Sequence, residues 1–329
     1  MSLTSSVQDL ECGIFPRCCG CKTLTGLKSP AIWQEVESFF SSHLSFSPEL
    51  VSKEITAWRY RVKLAVRGTS RKPLIGLFEA GSHLVVSMQS CPMHVKELDV
   101  ALTSLYESIK RHEIEPYREK DHGGRLKYIQ MHLSQKTRKI QLSLIFCGSS
   151  LALKEKEFVK QLYKLGSFHS IWACYQPEKT NTILGQNWEL LLGDEVFYQR
   201  VQSVDFAFHP SCFSQAHLTM FEDMVSYIKT LVALDVRLLE LYSGVGCIGV
   251  LLASHVSKVT MVESSLYSKW SFEKTLEKLP KLFESQLTFR LGSVENEAFN
   301  VNEVDLILVD PPRKGLSKLC KEKIYTSRA

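Results

Sequence analysis

The sequence predicts an α/β protein of two parts, in which an α+β part precedes a Rossmann-like parallel sheet. From about residue 206 onward, short apolar strands alternate with helical segments, and a glycine-rich turn follows the first of these strands. Before that point, a group of cysteines is followed by strands that are predicted to form hairpins, and in these strands apolar residues alternate with polar ones. A chain of 329 residues with 44% apolar composition can bury two cores of medium size.

The composition narrows the possible classes of protein. Lys and Arg number 40 against 35 Asp and Glu, a net charge of +5 that is compatible with a nucleic-acid partner without requiring one. No stretch approaches the roughly 18 apolar residues of a membrane span, and the first 21 residues lack the pattern of a secretory signal. We therefore expect a soluble intracellular protein, in the cytoplasm or an organelle. In that setting ten cysteines indicate reduced thiols and metal chemistry rather than disulfides.

The α+β part begins with a helical pattern over residues 31–40, followed by a period-two strand over 58–67. Apolar side chains occupy one face of this strand, and cations without any anion occupy the other. The basic face carries Arg59, Arg61, Lys63 and Arg67. Such a face suits RNA phosphates, and an ordinary solvated strand face is the alternative. The pattern further predicts hairpins at 74–78 with 84–88 and at 126–133 with 140–146, a helix at 95–110 and a loop at 111–124.

The parallel sheet begins with a strand at 238–241 that runs directly into a G-x-G-x-x-G turn containing Gly244 and Gly246. Glycines let the backbone turn tightly and approach a ligand at the start of the following helix. This motif fits a dinucleotide and S-adenosylmethionine about equally, and it also occurs as a simple tight turn. The next strand, at 259–262, ends at Glu263, where a carboxylate can accept hydrogen bonds from both hydroxyls of a ribose. The combination favours a nucleoside ligand over a solvated glutamate.

Two more strands, at 287–291 and 306–309, extend the predicted sheet, and the last runs into Asp310-Pro311-Pro312-Arg313. Ligands of open α/β folds bind at this carboxyl edge. An Asp-Pro-Pro segment there is common in methyltransferases that act on nucleobases, and it has no role in a nicotinamide dehydrogenase. Amino-group methyltransferases usually have an aromatic residue after the two prolines, where this chain has arginine.

With these motifs the chain resembles the RNA uracil-C5 methyltransferase family, which forms 5-methyluridine in tRNA and ribosomal RNA. The resemblance covers most of the chain and depends on segments 208–215, 239–246 and 308–315. It implies that S-adenosylmethionine is bound by Gln215, Tyr242, Gly244, Gly246, Glu263 and Asp310. This chain departs from the family at Cys247, where many members have Asn, and at Ala216-His217, which replaces Val-Asn.

The same resemblance implies a [4Fe–4S] cluster in the first part of the chain. Cys12, Cys18 and Cys21 form a C-x5-C-x2-C pattern, and Cys91 supplies a fourth thiol after the first hairpin. A cubane cluster needs four thiolates, and the short spacing provides three of them from one loop. Zinc on four thiolates and no metal at all are the alternatives. Cys19 is a spare thiol that could replace Cys18.

The resemblance divides the chain into a cysteine-rich segment at 1–30, an RNA-binding α+β domain at 31–205 and a methyltransferase domain at 206–329. In the family, a nucleophilic thiol follows in a Ser-Cys-Asn/Asp-Pro setting, and a glutamate base lies near the C-terminus. Neither motif occurs in the 329 residues. We therefore expect an incomplete sheet, no catalytic residue and a chain that is inactive alone, since Cys320 lies too early and in a helical setting.

The resemblance implies that the partner is ribosomal RNA or tRNA. Two other interpretations compete with a uracil-C5 enzyme. One is a methyltransferase for another nucleobase or a protein, and the other is a non-catalytic RNA-binding or regulatory protein.

Overall fold

A computed structural model describes residues 9–44, 47–177, 182–296 and 303–326. The chain divides into one unit formed by Met1–Leu133 and Lys139–Gly193 and a second formed by Ser134–Arg138 and Asp194–Ala329. The division at residues 193 and 194 lies before the predicted one at 205 and 206, because a short hairpin belongs to the second unit. The cysteine-rich segment groups with the first unit instead of standing apart.

The first unit is built on a sheet whose strands are β1 Arg61–Gly68, β2 Pro73–Phe78, β3 Val85–Ser87, β4 Leu126–Leu133, β5 Ile140–Phe146, β6 Phe168–Tyr175 and β7 Asn187–Gly193. The seven strands have the order β3-β2-β1-β4-β5-β6-β7, and only β5 and β6 are parallel to each other. The predicted strand and both hairpins are present. Every residue of β5 is buried, as expected for the middle of a sheet that is covered on both faces.

Three helices belong to the first unit: α1 Ala31–His43, α2 Lys96–Arg111 and α3 Leu153–Lys164. Leu98, Leu102, Leu105 and Ile109 recur at helical spacing in α2, and all four are fully buried in the core that the sheet forms. The predicted helix at 31–40 is present as α1, but the structure buries none of its residues.

One residue of the predicted basic face belongs to this core. Arg67 is only 9% exposed, and its guanidinium donates hydrogen bonds to the carbonyl oxygens of Val66 and Lys127, both at 2.9 Å. The same group pairs with Glu119 at 2.7 Å and lies over the rings of Tyr117 and Tyr128 at 5.5 and 5.2 Å. The expectation that Arg67 faces solvent and can contact RNA phosphates is therefore wrong. Its guanidinium already interacts with buried carbonyl oxygens, a carboxylate and aromatic rings.

The second unit contains a two-stranded hairpin and a four-stranded parallel sheet of order β12-β11-β10-β13. Its strands are β8 Tyr198–Val201, β9 Val204–Ala207, β10 Arg237–Leu241, β11 Lys258–Glu263, β12 Leu287–Leu291 and β13 Leu306–Val309. Its helices are α4 Leu218–Leu231, α5 Cys247–Leu252, α6 Leu266–Leu276 and α7 Lys318–Tyr325, with a short 3-10 turn at Lys281–Phe283. All four strands of the predicted parallel sheet are confirmed.

The strand order changes direction at β10. The chain proceeds from β10 to β11 and β12 on one side, and then returns to place β13 on the other side. Leu239 and Leu241 of β10 pack with Cys320 of α7 on one face of the sheet, while Glu240 points to α5 on the opposite face. A crevice at such a reversal, beyond the carboxyl ends of the strands, is where open α/β sheets bind ligands. Within the described ranges, no helix has the length and apolar content that crossing a membrane requires.

Candidate functional site

The glycine-rich turn after β10 has left-handed backbone at its two predicted glycines and also at the tyrosine that precedes them. Tyr242, Gly244 and Gly246 have φ values of 58°, 57° and 81°. Gly246 is also confined by space, because a Cβ atom there would stand 2.6 Å from the sulfur of Met261. The turn therefore depends on glycine at 246 both for its conformation and for its packing against β11.

Glu263 connects this turn to the end of β11. Its Oε2 accepts a hydrogen bond from the amide of Gly244 at 3.1 Å, and its Oε1 accepts two more from the amides of Ser264 and Ser265 at 2.8 and 2.9 Å. One carboxylate thus orders the backbone on both sides of the crevice. These bonds are charge-assisted, which makes them stronger than ordinary amide contacts.

A cavity of about 830 Å³ opens at the reversal of strand order. Five of the six residues predicted to bind S-adenosylmethionine line it: Gln215, Tyr242, Gly244, Glu263 and Asp310. The sixth, Gly246, is not among the lining residues and supports the turn from behind. The cavity is also lined by Phe213, Glu240, Ser243, Cys247, Glu295, Arg313 and Lys314.

Glu295 is a cavity residue that the sequence did not single out. The hydroxyl of Tyr242 donates to its Oε1 at 3.0 Å, and Ser293 donates to its other oxygen. Burial raises the pKa of the Tyr242 phenol, and the hydrogen bond to Glu295 raises it further, so Tyr242 stays a donor. The signal that could have identified Glu295 is its place just beyond β12, at the same carboxyl edge as Glu263 and Asp310.

Glu240 is the second carboxyl group that was missed. It is 2% exposed, and its Oε2 accepts the amide of Gly249 at 2.9 Å. Burial raises its pKa to about 8, and the charge of Asp310 adds to this effect. A Cβ at Gly249 would stand 2.5 Å from the same oxygen, so Gly249 is required for Glu240 to reach α5.

The segment 208–215 is attached to α6 by buried contacts. The ring of His209 stacks on Tyr267 at 4.0 Å, its amide donates to the hydroxyl of Ser271 at 3.0 Å, and the thiol of Cys212 contacts the same hydroxyl at 3.5 Å. Burial lowers the pKa of His209 to about 4, so its ring is neutral. These contacts present Gln215 to the cavity and leave Phe213 71% exposed at its lining.

The two departures from the family have separate places in the structure. Cys247 lines the cavity, and burial raises the pKa of its thiol. His217 caps α4, where its Nδ1 accepts the amide of Met220 at 3.4 Å.

The four cysteines predicted to bind a metal lie around one cavity of about 230 Å³ in the first unit: Cys12, Cys18, Cys21 and Cys91. Cys19 is exposed and does not line it. Burial raises the pKa values of Cys18, Cys21 and Cys91, and neighbouring thiols raise them further. In the described part of the chain, no three His, Cys, Asp or Glu side chains are arranged to hold a single metal ion.

The three remaining cations of the predicted RNA face differ from one another. Lys63 is exposed, whereas Arg61 is half-buried and donates to Gln130 at 3.1 Å. Arg59 is half-buried, lies over the Trp58 ring at 4.5 Å and lines the thiol cavity. Burial lowers the pKa of the Arg59 guanidinium, and Cys91 and Cys21 raise it. The basic stripe is therefore not a uniform solvated face.

The parallel sheet, the glycine turn and the carboxyl groups at the strand ends define a Rossmann-like domain of the methyltransferase type. The chain is 33% identical to an uncharacterized RNA methyltransferase of Protochlamydia amoebophila, over 95% of this chain and 83% of that protein. It therefore belongs to the RNA methyltransferase family, which is the broader class that the motifs predict.

Other relatives agree with this assignment. An uncharacterized RNA methyltransferase of Listeria monocytogenes is 27% identical to this chain. The match covers 84% of this chain and 61% of the length of that relative. The crystal structure of Pyrococcus abyssi tRNA (uracil-54, C5)-methyltransferase with S-adenosyl-L-homocysteine shares the fold, with a TM-score of 0.73 and 23% identity over 94% of this chain and 74% of that one. No protein-family model matches the sequence.

The buried Glu240 predicts a pH-dependent stability. An unfolded glutamate releases its proton near pH 4.5 and the folded one near pH 8, so the stabilising contribution is complete below 4.5 and is lost as pH rises through 8. Each pH unit in that interval costs at most about 1.4 kcal/mol. Urea denaturation should show that the unsubstituted chain loses free energy of unfolding between pH 5 and pH 8. Glu240→Gln should avoid about 2–4 kcal/mol of that loss. Glu273→Gln, at an exposed position of α6, should show no such gain, and parallel pH profiles for Glu240→Gln would contradict the assignment.

Proposed function

We propose that this protein is an S-adenosylmethionine-dependent enzyme that methylates carbon 5 of a uracil in tRNA or ribosomal RNA. The observation that carries the proposal is the convergence of Gln215, Tyr242, Glu263 and Asp310 on one cavity at the reversal of strand order. The P. abyssi enzyme of the same fold was crystallised with S-adenosyl-L-homocysteine, which supports the choice of cofactor.

The residues of the cavity suit a sulfonium nucleoside. S-adenosylmethionine carries its electrophilic methyl group on a positively charged sulfur. Carboxyl groups at 263, 295 and 310 line the space that would receive this sulfonium. Glu263 ends the second strand, and we assign the ribose hydroxyls to its carboxylate in addition to the three backbone amides that it accepts. Phe213 and Arg313 line the same cavity and offer a ring and a planar guanidinium on which a base can stack.

Carbon 5 of uracil is a weak nucleophile, so its methylation requires a thiolate at carbon 6 and a base that removes the carbon-5 proton. Cys320 does not serve as this thiol, since it is fully buried in α7 and lies outside the lining of the cavity. The Ser-Cys-Asn/Asp-Pro motif is not found in the 329 residues. Cofactor and RNA binding are therefore assigned to the residues described above, and the thiol and the base are assigned to none of them.

Calorimetric titration with S-adenosylmethionine tests the cofactor site. Glu263→Gln should weaken binding about 10–100-fold, because a charged hydrogen bond contributes about 1.5–3 kcal/mol. Glu273→Gln removes the same charge at a position outside the cavity lining. This control should bind S-adenosylmethionine as tightly as the unsubstituted chain does. No measurable heat with the unsubstituted chain at saturating cofactor would overturn the proposal.

Transfer of a labelled methyl group to RNA, followed by nucleoside analysis, tests the reaction. Formation of 5-methyluridine is the expected result and would establish the uracil specificity. A different methylated nucleoside would favour an enzyme for another base.

We further propose that the thiol cavity binds a [4Fe–4S] cluster. Four thiols line one cavity of the first unit, and four thiolates are what either a cubane cluster or a tetrahedral zinc ion requires. The short C-x5-C-x2-C spacing, which provides three of the four from one loop, favours the cluster. When bound, the cluster would be held by Cys12, Cys18, Cys21 and Cys91, which fit its requirement for four thiolates.

Anaerobic reconstitution with iron and sulfide, followed by metal and sulfide analysis, tests the cluster. The unsubstituted chain and Cys19→Ser should each retain about four iron and four sulfide, because the thiol of Cys19 is outside the cavity. Cys91→Ser should lose most of both. Retention of one zinc without sulfide, or equal loss in the two variants, would contradict this assignment.

A further inference from the structure

We propose that Arg59 is the counter-charge of the four-thiol cavity and sets the reduction potential of the cluster bound there, instead of contacting RNA phosphates. This inference rests on the cluster proposed above. It concerns a residue that positions charge beside the site and contributes no ligand.

The backbone fixes Arg59 next to the loop that carries Cys91. The amide of Ala57 donates to the carbonyl of Pro92 and the amide of Arg59 donates to that of Met93, both at 2.8 Å. The amide of Val95 returns a bond of 3.3 Å to the carbonyl of Arg59. These three bonds join the approach to β1 with residues 92–95, so Arg59 cannot leave the cavity without disrupting the loop of the fourth thiol.

The side chain of Arg59 packs against the neighbouring Trp58. Its guanidinium lies 4.5 Å from the centroid of the Trp58 ring, a cation–π contact that keeps the charge in a partly desolvated place. The cavity wall contains all four thiols, Arg59, Lys63 and His94, and none of the described residues that form it is a carboxylate. Asp99 lies behind the wall, where it pairs with His94 at 2.8 Å and accepts from the amide of Cys91 at 3.4 Å. A cluster with four thiolates is anionic, so Arg59 and Lys63 supply the opposite charge at the wall itself.

Arg59 should dominate over Lys63 because its backbone is bonded to the loop that carries Cys91. Lys63 lines the same cavity from β1 and keeps much of its side chain exposed, although burial lowers the pKa of its amine, and water and salt weaken the field of an exposed charge. A cation near a cluster stabilises the form that has gained an electron. Local charge and solvent exposure are among the properties that set cluster potentials.

The experiment uses the full 329-residue chain, reconstituted anaerobically, with midpoint potentials measured by spectroscopically monitored titration against a chemical reductant. Arg59→Gln should shift the potential to a more negative value, and Arg59→Lys should shift it less. Arg61→Gln is the matched control, because it removes the same charge from the same stretch of chain and lies outside the cavity. Its potential should equal that of the unsubstituted chain.

The outcomes separate the two proposals. If the unsubstituted chain binds no cluster, the cluster assignment fails and this inference fails with it. If all variants bind the cluster and Arg59→Gln has the potential of Arg61→Gln, only the role of Arg59 is overturned. If Arg59→Gln loses the cluster while Arg59→Lys and Arg61→Gln keep it, the charge of Arg59 is what the cluster requires, which supports the inference. If Arg59→Lys loses the cluster as well, the shape of the arginine side chain is what matters, and the inference is overturned.

RNA binding provides the remaining readout. Filter binding to a uracil-containing RNA should be weakened less by Arg59→Gln than by Arg61→Gln. If the two substitutions weaken RNA binding equally and Arg59→Gln leaves the reduction potential unchanged, Arg59 is a phosphate ligand and the inference is wrong.

Discussion

The position of β10 between β11 and β13 is the constraint on which the second unit depends. Because all these strands are parallel, their carboxyl ends meet at one edge, and the loops that follow them diverge on either side of β10. The glycine turn, Glu263 and Asp310 come from three separate stretches of sequence, yet each follows a strand of this sheet. Their meeting in one cavity is a consequence of strand order, and the individual loops only determine the chemistry.

Much of this site could be predicted from the sequence for that same reason. Short apolar strands identify the sheet, and a residue just beyond such a strand is placed at its edge whatever the details of packing. Glu240 and Glu295 were missed for two physical reasons. Glu240 lies within an apolar strand, where its orientation toward α5 depends on the absent side chain of Gly249. Glu295 lies four residues beyond β12 and accepts from Tyr242, whose positive φ the pattern of residue types does not specify.

The basic strand shows a different limit. Alternation along 58–67 correctly separates the two faces, but it contains no information about what covers each face. Tyr117 comes from the connection after α2 and Tyr128 from β4, and together they close over Arg67. Arg59, eight residues earlier on the same pattern, faces a cavity of thiols instead. Two arginines that the sequence treats as equivalent therefore have unrelated surroundings, set by long-range pairing.

The attachment of segment 208–215 to α6 determines where this chain can be divided. The amide of Ala207 donates to the hydroxyl of Thr275 at 3.0 Å, and the next stretch is held by the stacked pair of His209 and Tyr267. A minimal fragment that started at β10 would retain every strand of the parallel sheet and still lack one wall of the cavity at the strand ends. Excision for crystallography or domain grafting should begin ahead of the β8–β9 hairpin, since the sheet alone does not form that cavity.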